Sequence, residues 1–364
     1  MEKSYDRKII LEDGTEYKGY SFGAVKDTVT ELVFNTSMVG YQEIISDPSY
    51  AYQTVVMSYP LIGNYGMNSE DYESETPAIG GLIVRDYNDF PSNFLSTESL
   101  SSAMARFNIP GVSGVDTRKL VRSIRDFGSR RCLITGCGTS KEEGMEIISG
   151  TFVPSDAVSK VSRKNAVRYG AEGDIGIVAI DCGMKNNIIR SFIRRGVSVT
   201  AVPYDTAAAE IEKMNPDGVF ISNGPGDPAD AKPVINTVKA LIGKYPVFGI
   251  CLGHQIISLA YGAETYKLKF GHRGGNHPVK NLLTGRTEIT SQNHSYAVEK
   301  ESLGKTPLKI THLNLLDKTV EGVECVKDKV FSVQYHPESA PGPQDSAYLF
   351  DRFIRLMEEE KCHA

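Results

Sequence analysis

The second half of the chain alternates between short apolar runs and longer amphipathic stretches. From Asp174 onward the apolar runs have the length of buried strands, and the stretches between them have the periodicity of helices. The predicted strands are residues 175–181, 197–203, 218–222 and 247–250, and the predicted helices end at Arg195 or lie near 207–214 and at 231–243. This alternation predicts an α/β fold with a mostly parallel sheet flanked by helices, and a functional site at the carboxyl ends of its strands.

Two further patterns complete this half of the chain. Short alternating runs return between residues 277 and 334 and predict antiparallel additions to the sheet. Residues 347–360 have apolar positions at helical spacing and predict a closing amphipathic helix.

The first 150 residues follow a different pattern, with short alternating runs separated by turn residues. The predicted strands there are Lys8 to Leu11, Glu16 to Tyr20 and Glu31 to Phe34. Two helices are predicted near residues 97–107 and 117–127, the second capped by Asp116 and ended by Gly128. These patterns predict a smaller β-rich α+β domain over residues 1–150.

The segment between the two halves lacks sustained periodicity. Residues 151–173 are polar and are broken by Pro154 and Gly170. We therefore predict a linker over 151–173 and an α/β domain over 174–364.

Composition excludes several classes of protein. The chain has 364 residues, 40% of them apolar, and its 40 basic and 45 acidic residues are well mixed, with a net charge of −5. No basic block predicts a nucleic-acid partner, and nothing predicts a membrane surface. Apolar runs stay well short of a membrane span and the first residues lack a signal-peptide core, so we expect a cytoplasmic protein.

The sequence also lacks the usual signatures of metals and nucleotides. The six cysteines form no C-x-x-C pair and have no histidine at ligand spacing, so neither zinc nor a disulfide framework is predicted. No G-x-G-x-x-G or phosphate-binding loop motif is found. We predict no metal and no cofactor in this chain.

A single cysteine, Cys251, lies between a predicted strand and a predicted helix. Gly249 and Gly253 flank it in the sequence FGICLGHQ. This G-x-nucleophile-x-G pattern is typical of a sharp strand-to-helix turn that exposes the central side chain, and it needs glycines because backbones approach closely. A buried cysteine at a strand end is the structural alternative. The two glycines favour a nucleophile.

A base for this thiol is predicted at the end of another strand, in the sequence QYHPES. Pro337 ends the strand and keeps the chain extended, so His336 and Glu338 point to the same side. The carboxylate can orient the imidazole, which takes the proton of Cys251 and generates a thiolate. Alone, an H-x-E sequence also fits a surface loop.

A third element, VFISNGPGDP, places a loop rich in glycine and proline after the predicted strand ending at Ser222. Such a loop, with Gly224 and Gly226, offers backbone N–H groups for an oxyanion. The N–H of Leu252, directly after the nucleophile, is the second predicted donor. An ordinary turn after a parallel strand has the same composition.

FGICLGHQ, ISNGPGDP and QYHPES, in this order and spacing, resemble the class I (triad) glutamine amidotransferases, which hydrolyse glutamine with a Cys-His-Glu triad. The resemblance covers residues 174 to 360. Outside it, LVFNTSMVGYQEIISDPSY and IPGVSGVDTRKLVRSIRDFG resemble the small chain of carbamoyl-phosphate synthetase, as do KFGHRGGNHPVKNL and SQNHSYAV. That resemblance implies a glutaminase subunit that delivers ammonia through a tunnel to a large chain, where ATP and a divalent metal are bound and carbamoyl phosphate is made.

The same resemblance implies roles for individual residues. Cys251 is the nucleophile, His336 the base and then acid, and Glu338 its orienting partner. The implied glutamine contacts are Ser37, Gly224, Gly226, Leu252, Gln255, Asn293, Ser295 and Tyr296. Many members have glycine and phenylalanine in place of Ser295 and Tyr296, a change that is silent if the contact is made by backbone atoms. Ser37 belongs to the first domain, so the resemblance implies a pocket at the domain interface. His272 and His277 lie in a loop that the family keeps near the active site.

Three alternatives stay open at the level of sequence. An amidotransferase for another acceptor, such as a nucleotide or chorismate, would differ in its first 150 residues. A regulatory glutamine-binding subunit with an inactive site would lack part of the triad. A free-standing γ-glutamyl hydrolase or peptidase would not need the extra β-rich domain.

Overall fold

The computed structural model describes residues 4–152, 154–171 and 173–363. The chain forms two compact units, Met1–Pro154 and Ser155–Ala364. Each unit has its own sheet and its own hydrophobic core. The boundary after Pro154 lies close to the predicted one.

The N-terminal unit is built on a closed barrel with the strand order β1-β2-β8-β6-β4-β3-β9. Its strands are β1 (Arg7–Leu11), β2 (Glu16–Gly23), β3 (Thr28–Asn35), β4 (Gln53–Met57), β5 (Leu61–Ile62), β6 (Gly81–Ile83), β7 (Asp86–Tyr87), β8 (Pro110–Ser113) and β9 (Arg130–Gly136). Its helices are α1 (Tyr41–Ser46), α2 (Leu100–Arg106), α3 (Thr117–Phe127) and α4 (Lys141–Gly150), with a 3₁₀ turn at Pro48–Tyr50. The strands predicted here are confirmed as parts of β1, β2 and β3.

Helix α3 has the predicted bounds and the predicted caps. The carboxylate of Asp116 accepts a hydrogen bond from the N–H of Lys119, and Gly128 follows the helix with a φ of 94°. Helix α2 begins three residues later than predicted, because Ser99 rather than an earlier residue accepts the N-terminal hydrogen bond, from Ser102.

The C-terminal unit contains a ten-stranded sheet with the order β10-β12-β11-β13-β14-β19-β18-β16-β15-β17. Its strands are β10 (Val167–Tyr169), β11 (Gly176–Asp181), β12 (Ser198–Pro203), β13 (Gly218–Ile221), β14 (Val247–Ile250), β15 (Thr265–Asn281), β16 (Thr287–Val298), β17 (Lys309–Asn314), β18 (Val320–Cys325) and β19 (Val330–Val333). Five neighbouring strands in this order are parallel, namely β12, β11, β13, β14 and β19. The other strands pair in antiparallel fashion on either side of them. This confirms the predicted α/β class and the predicted antiparallel additions.

Helices cover both faces of the parallel strands. They are α5 (Ala157–Val161), α6 (Asn186–Ile193), α7 (Ala208–Lys213), α8 (Lys232–Leu241), α9 (Leu252–Ala260) and α10 (Tyr348–His363), with 3₁₀ turns at Pro228–Asp230 and Glu301–Lys305. Apolar residues of α6 and α10 pack on one face of the sheet, and those of α7, α8 and α9 on the other. The parallel strands are therefore buried on both sides, which is why they are continuous apolar runs in the sequence.

The predicted linker over 151–173 contains regular structure that the sequence did not predict. Helix α5 and strand β10 lie within it, and β10 pairs antiparallel with β12 at the edge of the sheet. Val167 and Arg168 are exposed and the strand has only three residues, so no alternation marks it in the sequence. Within the described residues no helix is long and apolar enough to cross a membrane.

Candidate active site

Cys251 occupies a strained turn between β14 and α9. Its φ of 53° and ψ of −105° are unusual for a residue with a side chain. A Cβ on Gly253 would lie 2.2 Å from the carbonyl oxygen of Ile221, and one on Gly249 would lie 2.5 Å from Cδ1 of Ile257. Only glycine fits at these two positions, so the predicted strand-turn-helix geometry is confirmed.

The strands that carry the thiol and the imidazole are neighbours. β14 pairs in parallel with β19, and the N–H of Cys251 donates to the carbonyl of Val333, the last residue of β19. After β14 and after β19 the backbone continues past the same edge of the sheet, so His336 lies on the side of the sheet where Cys251 is found. Cys251 and His336 thus follow the carboxyl ends of parallel strands, where the sequence placed them.

His336 and Glu338 form a buried pair. Nδ1 of His336 lies 2.7 Å from Oε1 of Glu338, and both side chains are almost fully buried. Nδ1 therefore carries the proton that the carboxylate accepts, and Nε2 is left for the reaction. Nε2 has no aligned hydrogen-bond partner within the described part of the chain.

The charge state of the imidazole follows from its neighbours. Burial opposes protonation of His336, but the carboxylate of Glu338 and the sulfur of Cys251 outweigh it and raise the pKa of His336 to about 10. The raised pKa of His336 suits an imidazole that takes the proton of the neighbouring thiol.

A lysine that the sequence did not single out completes this group. Nζ of Lys185 lies 3.0 Å from Oε1 of Glu338 and donates to the carbonyl oxygen of Ser339 at 2.6 Å. Burial raises the pKa of Glu338, but Lys185 and then His336 overcome this effect and lower it to about 2. The carboxylate is thus held in its charged form by two cations.

Two groups hold the sulfur in the resting structure. Sγ of Cys251 donates to the carbonyl oxygen of Asn293 at 3.6 Å, and Nε2 of Gln334 donates to Sγ at 3.7 Å. Asn293 was predicted to bind glutamine, whereas Gln334 was not predicted to have a role. The first of these contacts is through the backbone.

Four other predicted glutamine contacts have hydrogen-bond partners within the protein: Gln255, Tyr296, Ser295 and Ser37. Gln255, on α9, donates to the backbone carbonyl of Tyr296 at 2.8 Å, and the contacts of both residues with glutamine stay predictions. The hydroxyl of Ser295 accepts a hydrogen bond from the guanidinium of Arg273. Ser37 lies in the N-terminal unit, where its N–H donates to Oδ1 of Asn35 at 2.7 Å, and its part in binding glutamine stays a prediction.

The glycine-rich loop lies against the start of α9. A Cβ on Gly224 would lie 2.2 Å from the carbonyl oxygen of Cys182 and 2.8 Å from Cδ2 of Leu252. Gly226 has a φ of 89°, which favours glycine. Gly224 therefore packs against the side chain of Leu252, the residue after the nucleophile, and the use of the two backbone N–H groups as oxyanion donors stays a prediction.

The family models match both units. The model described as "Carbamoyl-phosphate synthase small chain, CPSase domain" matches residues 9–134, and "Glutamine amidotransferase class-I" matches residues 178–356. A protein of Fusobacterium nucleatum named "Carbamoyl phosphate synthase small chain" is 51% identical, over 97% of this chain and 99% of its own length. The chain belongs to the carbamoyl phosphate synthase small-chain family.

Two other proteins named as small chains are similar to this chain over nearly its whole length, and a solved structure is similar to about half of it. A small chain of Staphylococcus epidermidis is 49% identical over 99% of this chain and 98% of its own length. A protein of Halalkalibacterium halodurans that is 49% identical over 98% of this chain and 99% of its own is named as a pyrimidine-specific small chain. A solved structure of a putative GMP synthase protein from Thermoplasma acidophilum covers 52% of this chain and 98% of its own, with a TM-score of 0.46 and 22% identity.

Membership of the small-chain family confirms the resemblance drawn from the motifs. The match over residues 9–134 lies in the domain that a glutamine amidotransferase for another acceptor would not share. It also accounts for the β-rich unit, which a free-standing hydrolase would not need.

A cluster near the site contains residue types that bind metals. His272, His294 and Glu321 are buried, and one possible ligand atom of each lies within 4.8 Å of the others. Oε1 of Gln292 lies 3.1 Å from Nδ1 of His272 and 2.9 Å from Nε2 of His294, so a ring nitrogen of each histidine is within hydrogen-bond distance of the same amide oxygen. The cluster is better described as a hydrogen-bonded network.

His272 belongs to this network, and the ring of His277 lies 5.3 Å from the ring of His272. Burial lowers the pKa of His272, but Asp317 and Glu321 outweigh it and raise the pKa to about 9. Burial, with the charge of His272, lowers the pKa of His277 to about 4. His294 links the network to the site, because its Nδ1 lies 2.8 Å from the carbonyl oxygen of Tyr296.

Proposed function

We propose that this chain hydrolyses L-glutamine to glutamate and ammonia through a γ-glutamyl thioester on Cys251. We further propose that the ammonia passes to a large synthetase chain, which makes carbamoyl phosphate from bicarbonate and ATP. The observation that carries the proposal is a strained, buried thiol beside the His336–Glu338 pair, in a chain of the small-chain family.

Glutamine binding is assigned to polar groups around the thiol. Gln255 and Asn293 supply side-chain or backbone donors and acceptors for the α-amino and α-carboxyl groups of the substrate. The backbone at Ser295 and Tyr296, the loop with Gly224 and Gly226, and Ser37 complete the proposed set.

Acylation begins when the proton of Cys251 moves to Nε2 of His336. The thiolate attacks the side-chain amide carbon, and the N–H groups of Gly224 and Leu252 stabilise the oxyanion. The imidazolium then returns its proton to the leaving nitrogen, so that ammonia departs and the thioester remains.

Deacylation uses the same groups, with water in place of the thiol as the proton donor to His336. Nε2 of His336 takes a proton from water, and the hydroxide attacks the thioester carbon. Collapse of the second oxyanion releases glutamate, and the sulfur of Cys251 recovers its proton. Glu338 and Lys185 keep their charges throughout and fix the orientation of the ring.

The remaining parts of the proposal concern partners and location. We expect this chain to use no cofactor of its own, and ATP and a divalent metal to bind the large chain. We expect neither nucleic acid nor membrane as a partner, and a cytoplasmic location. Its product would serve pyrimidine synthesis, arginine synthesis or both.

The alternative is a regulatory subunit that binds glutamine without hydrolysing it, or an amidotransferase subunit for a different acceptor. A regulatory role would not require the charged Lys185–Glu338–His336 arrangement beside the thiol. An intact triad therefore favours hydrolysis.

The test is to reconstitute the chain with a large synthetase chain and to compare glutamine with free ammonia as the nitrogen source. Cys251→Ser is expected to abolish carbamoyl phosphate synthesis from glutamine and to leave synthesis from ammonia intact. Loss of both activities together would contradict the proposed division of labour. Ammonia release by the isolated wild-type chain, with and without the large chain, separates a glutaminase from a binding subunit.

A further inference from the structure

Gln334 lies directly beyond β19 and its side chain is fully buried. The two ends of its amide have different partners. Nε2 donates to Sγ of Cys251 at 3.7 Å, and Oε1 accepts from Nε2 of Gln255 at 2.9 Å. One side chain therefore joins the reacting sulfur to a residue that is proposed to hold the substrate.

The donor end of this amide acts differently on the two forms of the sulfur. Hydrogen bonds to an ionised acceptor are roughly twice as strong as those between neutral groups. The contact from Gln334 is therefore weak while Cys251 is a thiol and becomes stronger once it is a thiolate. It favours the reactive form.

Ionisation of the sulfur also changes its other contact. The thiol donates to the carbonyl oxygen of Asn293 at 3.6 Å, and this bond is lost when the proton moves to Nε2 of His336. Among the hydrogen bonds that the described residues make to the sulfur, the one from Gln334 does not depend on the proton and remains after this step. Gln334 therefore stabilises the thiolate together with the imidazolium of His336.

We propose that Gln334 is a further catalytic residue of this site, which stabilises the thiolate of Cys251 through its N–H and fixes Gln255 through its amide oxygen. The proposal rests on the proposed glutaminase function for its kinetic consequences. Its chemical consequence, a change in the reactivity of the sulfur, does not depend on glutamine.

Two substitutions separate the two ends of the amide. Gln334→Glu has nearly the same shape and keeps an acceptor for Gln255, but it removes the N–H that faces the sulfur. Gln334→Leu removes both ends. The pair therefore distinguishes stabilisation of the thiolate from positioning of the substrate-binding residue.

The main measurement is the rate at which iodoacetamide alkylates Cys251 in the full-length chain between pH 5 and 9, followed by mass spectrometry of the peptide that contains it. Gln334→Leu is expected to react about tenfold more slowly near neutral pH, with the profile displaced by about one pH unit upward, as expected for the loss of one charged hydrogen bond. Gln334→Glu should react more slowly still, because its carboxylate also repels the thiolate. In glutamine hydrolysis both should lower kcat. Only Gln334→Leu should also raise KM.

Ser332→Ala is the matched control. Ser332 lies on the same strand and is equally buried, but its hydroxyl bonds Nδ1 of His254 at 2.9 Å and does not touch the sulfur. Its alkylation profile is expected to match the wild type. A wild-type profile in Gln334→Glu, or an equal displacement in Ser332→Ala, would overturn the proposal.

The same experiment keeps the two proposals apart. A displaced alkylation profile in a chain that releases no ammonia from glutamine would reject the proposed function and support the role of Gln334 toward the sulfur. If Gln334→Leu does not fold, Gln334→Met takes its place, because methionine is an uncharged, flexible side chain of similar length that also lacks the N–H.

Discussion

Nζ of Lys185 lies 3.0 Å from Oε1 of Glu338, the same oxygen that lies 2.7 Å from Nδ1 of His336. One buried carboxylate therefore serves two cations, a lysine from the loop after β11 and the histidine of the proposed triad. Because the side chains of Lys185 and Glu338 are at most 4% exposed, solvent cannot replace a lost partner.

Removal of this lysine should destabilise the fold as well as the site. Lys185→Met leaves the carboxylate of Glu338 with one cation, and we expect the free energy of unfolding to fall by about 3 kcal/mol, the scale for breaking a buried ion pair. Urea denaturation measures the change. The double variant Lys185→Met/Glu338→Gln should recover part of the loss, because the unpaired charge is gone. Strict additivity of the two single changes would contradict the coupling.

His336→Ala should lower the rate of glutamine hydrolysis by about 10²- to 10⁴-fold, the usual contribution of a general acid–base group. Both formation and turnover of the thioester should slow, and the fold should be retained. Rapid quenching with labelled glutamine follows the acyl-enzyme. His312→Asn is the control, since this buried histidine bonds Thr311 and has no contact with the thiol. A normal rate of acylation in His336→Ala would contradict its assignment as base.

The strained backbone at Cys251 predicts an unusual order of stabilities. At φ 53° and ψ −105° a side chain costs roughly 1–3 kcal/mol, and glycine avoids this cost. Cys251→Gly should therefore be more stable than Cys251→Ala by about 1 kcal/mol, although glycine normally destabilises a folded chain. Both variants lack the thiol, so thermal or urea unfolding compares the backbone alone. The reverse order would mean that the turn carries no strain.

The decrease in the free energy of unfolding at acid pH should depend on Glu338. Its pKa is lowered from 4.5 to about 2, so its charged form adds stability above pH 4.5 that is lost as the pH falls toward 2. His336 has the opposite sign: its raised pKa adds stability at neutral pH that is lost as the pH rises through about 10. In urea titrations, the difference between wild type and Glu338→Gln should shrink between pH 5 and 2. A constant difference over this range would show that the carboxylate has no depressed pKa.

The catalytic elements could be predicted because their positions are fixed by local geometry. The turn at Cys251 needs glycines on both sides, and His336 and Glu338 flank Pro337 in the loop after β19, so both elements leave clear marks in the sequence. The supporting residues leave none. Lys185 follows β11 in an ordinary loop and meets Glu338 only after folding, and Gln334 has the pattern of a strand end.

The elements that were missed or misplaced have equally physical causes. β15 begins at Thr265, before the predicted start of the antiparallel strands at residue 277. The sequence does not show this start because register shifts after Lys267 and after Gly274 interrupt the alternation of buried and exposed residues. The proposed contact between Ser37 and glutamine rests on family resemblance alone, because none of the contacts described for its own unit indicates a ligand.

The closed pairing of the strands has a consequence for self-association. The barrel of the N-terminal unit has no terminal strand, and at one end of the large sheet β17 pairs with both β15 and β18. The other end is β10, which has three residues, and the separate sheet formed by β5 and β7 has two residues in each strand. A terminal strand this short offers few free backbone groups to a strand from another molecule. Concentrated solutions of the folded chain should therefore resist the edge-to-edge stacking through which exposed sheets form fibrils.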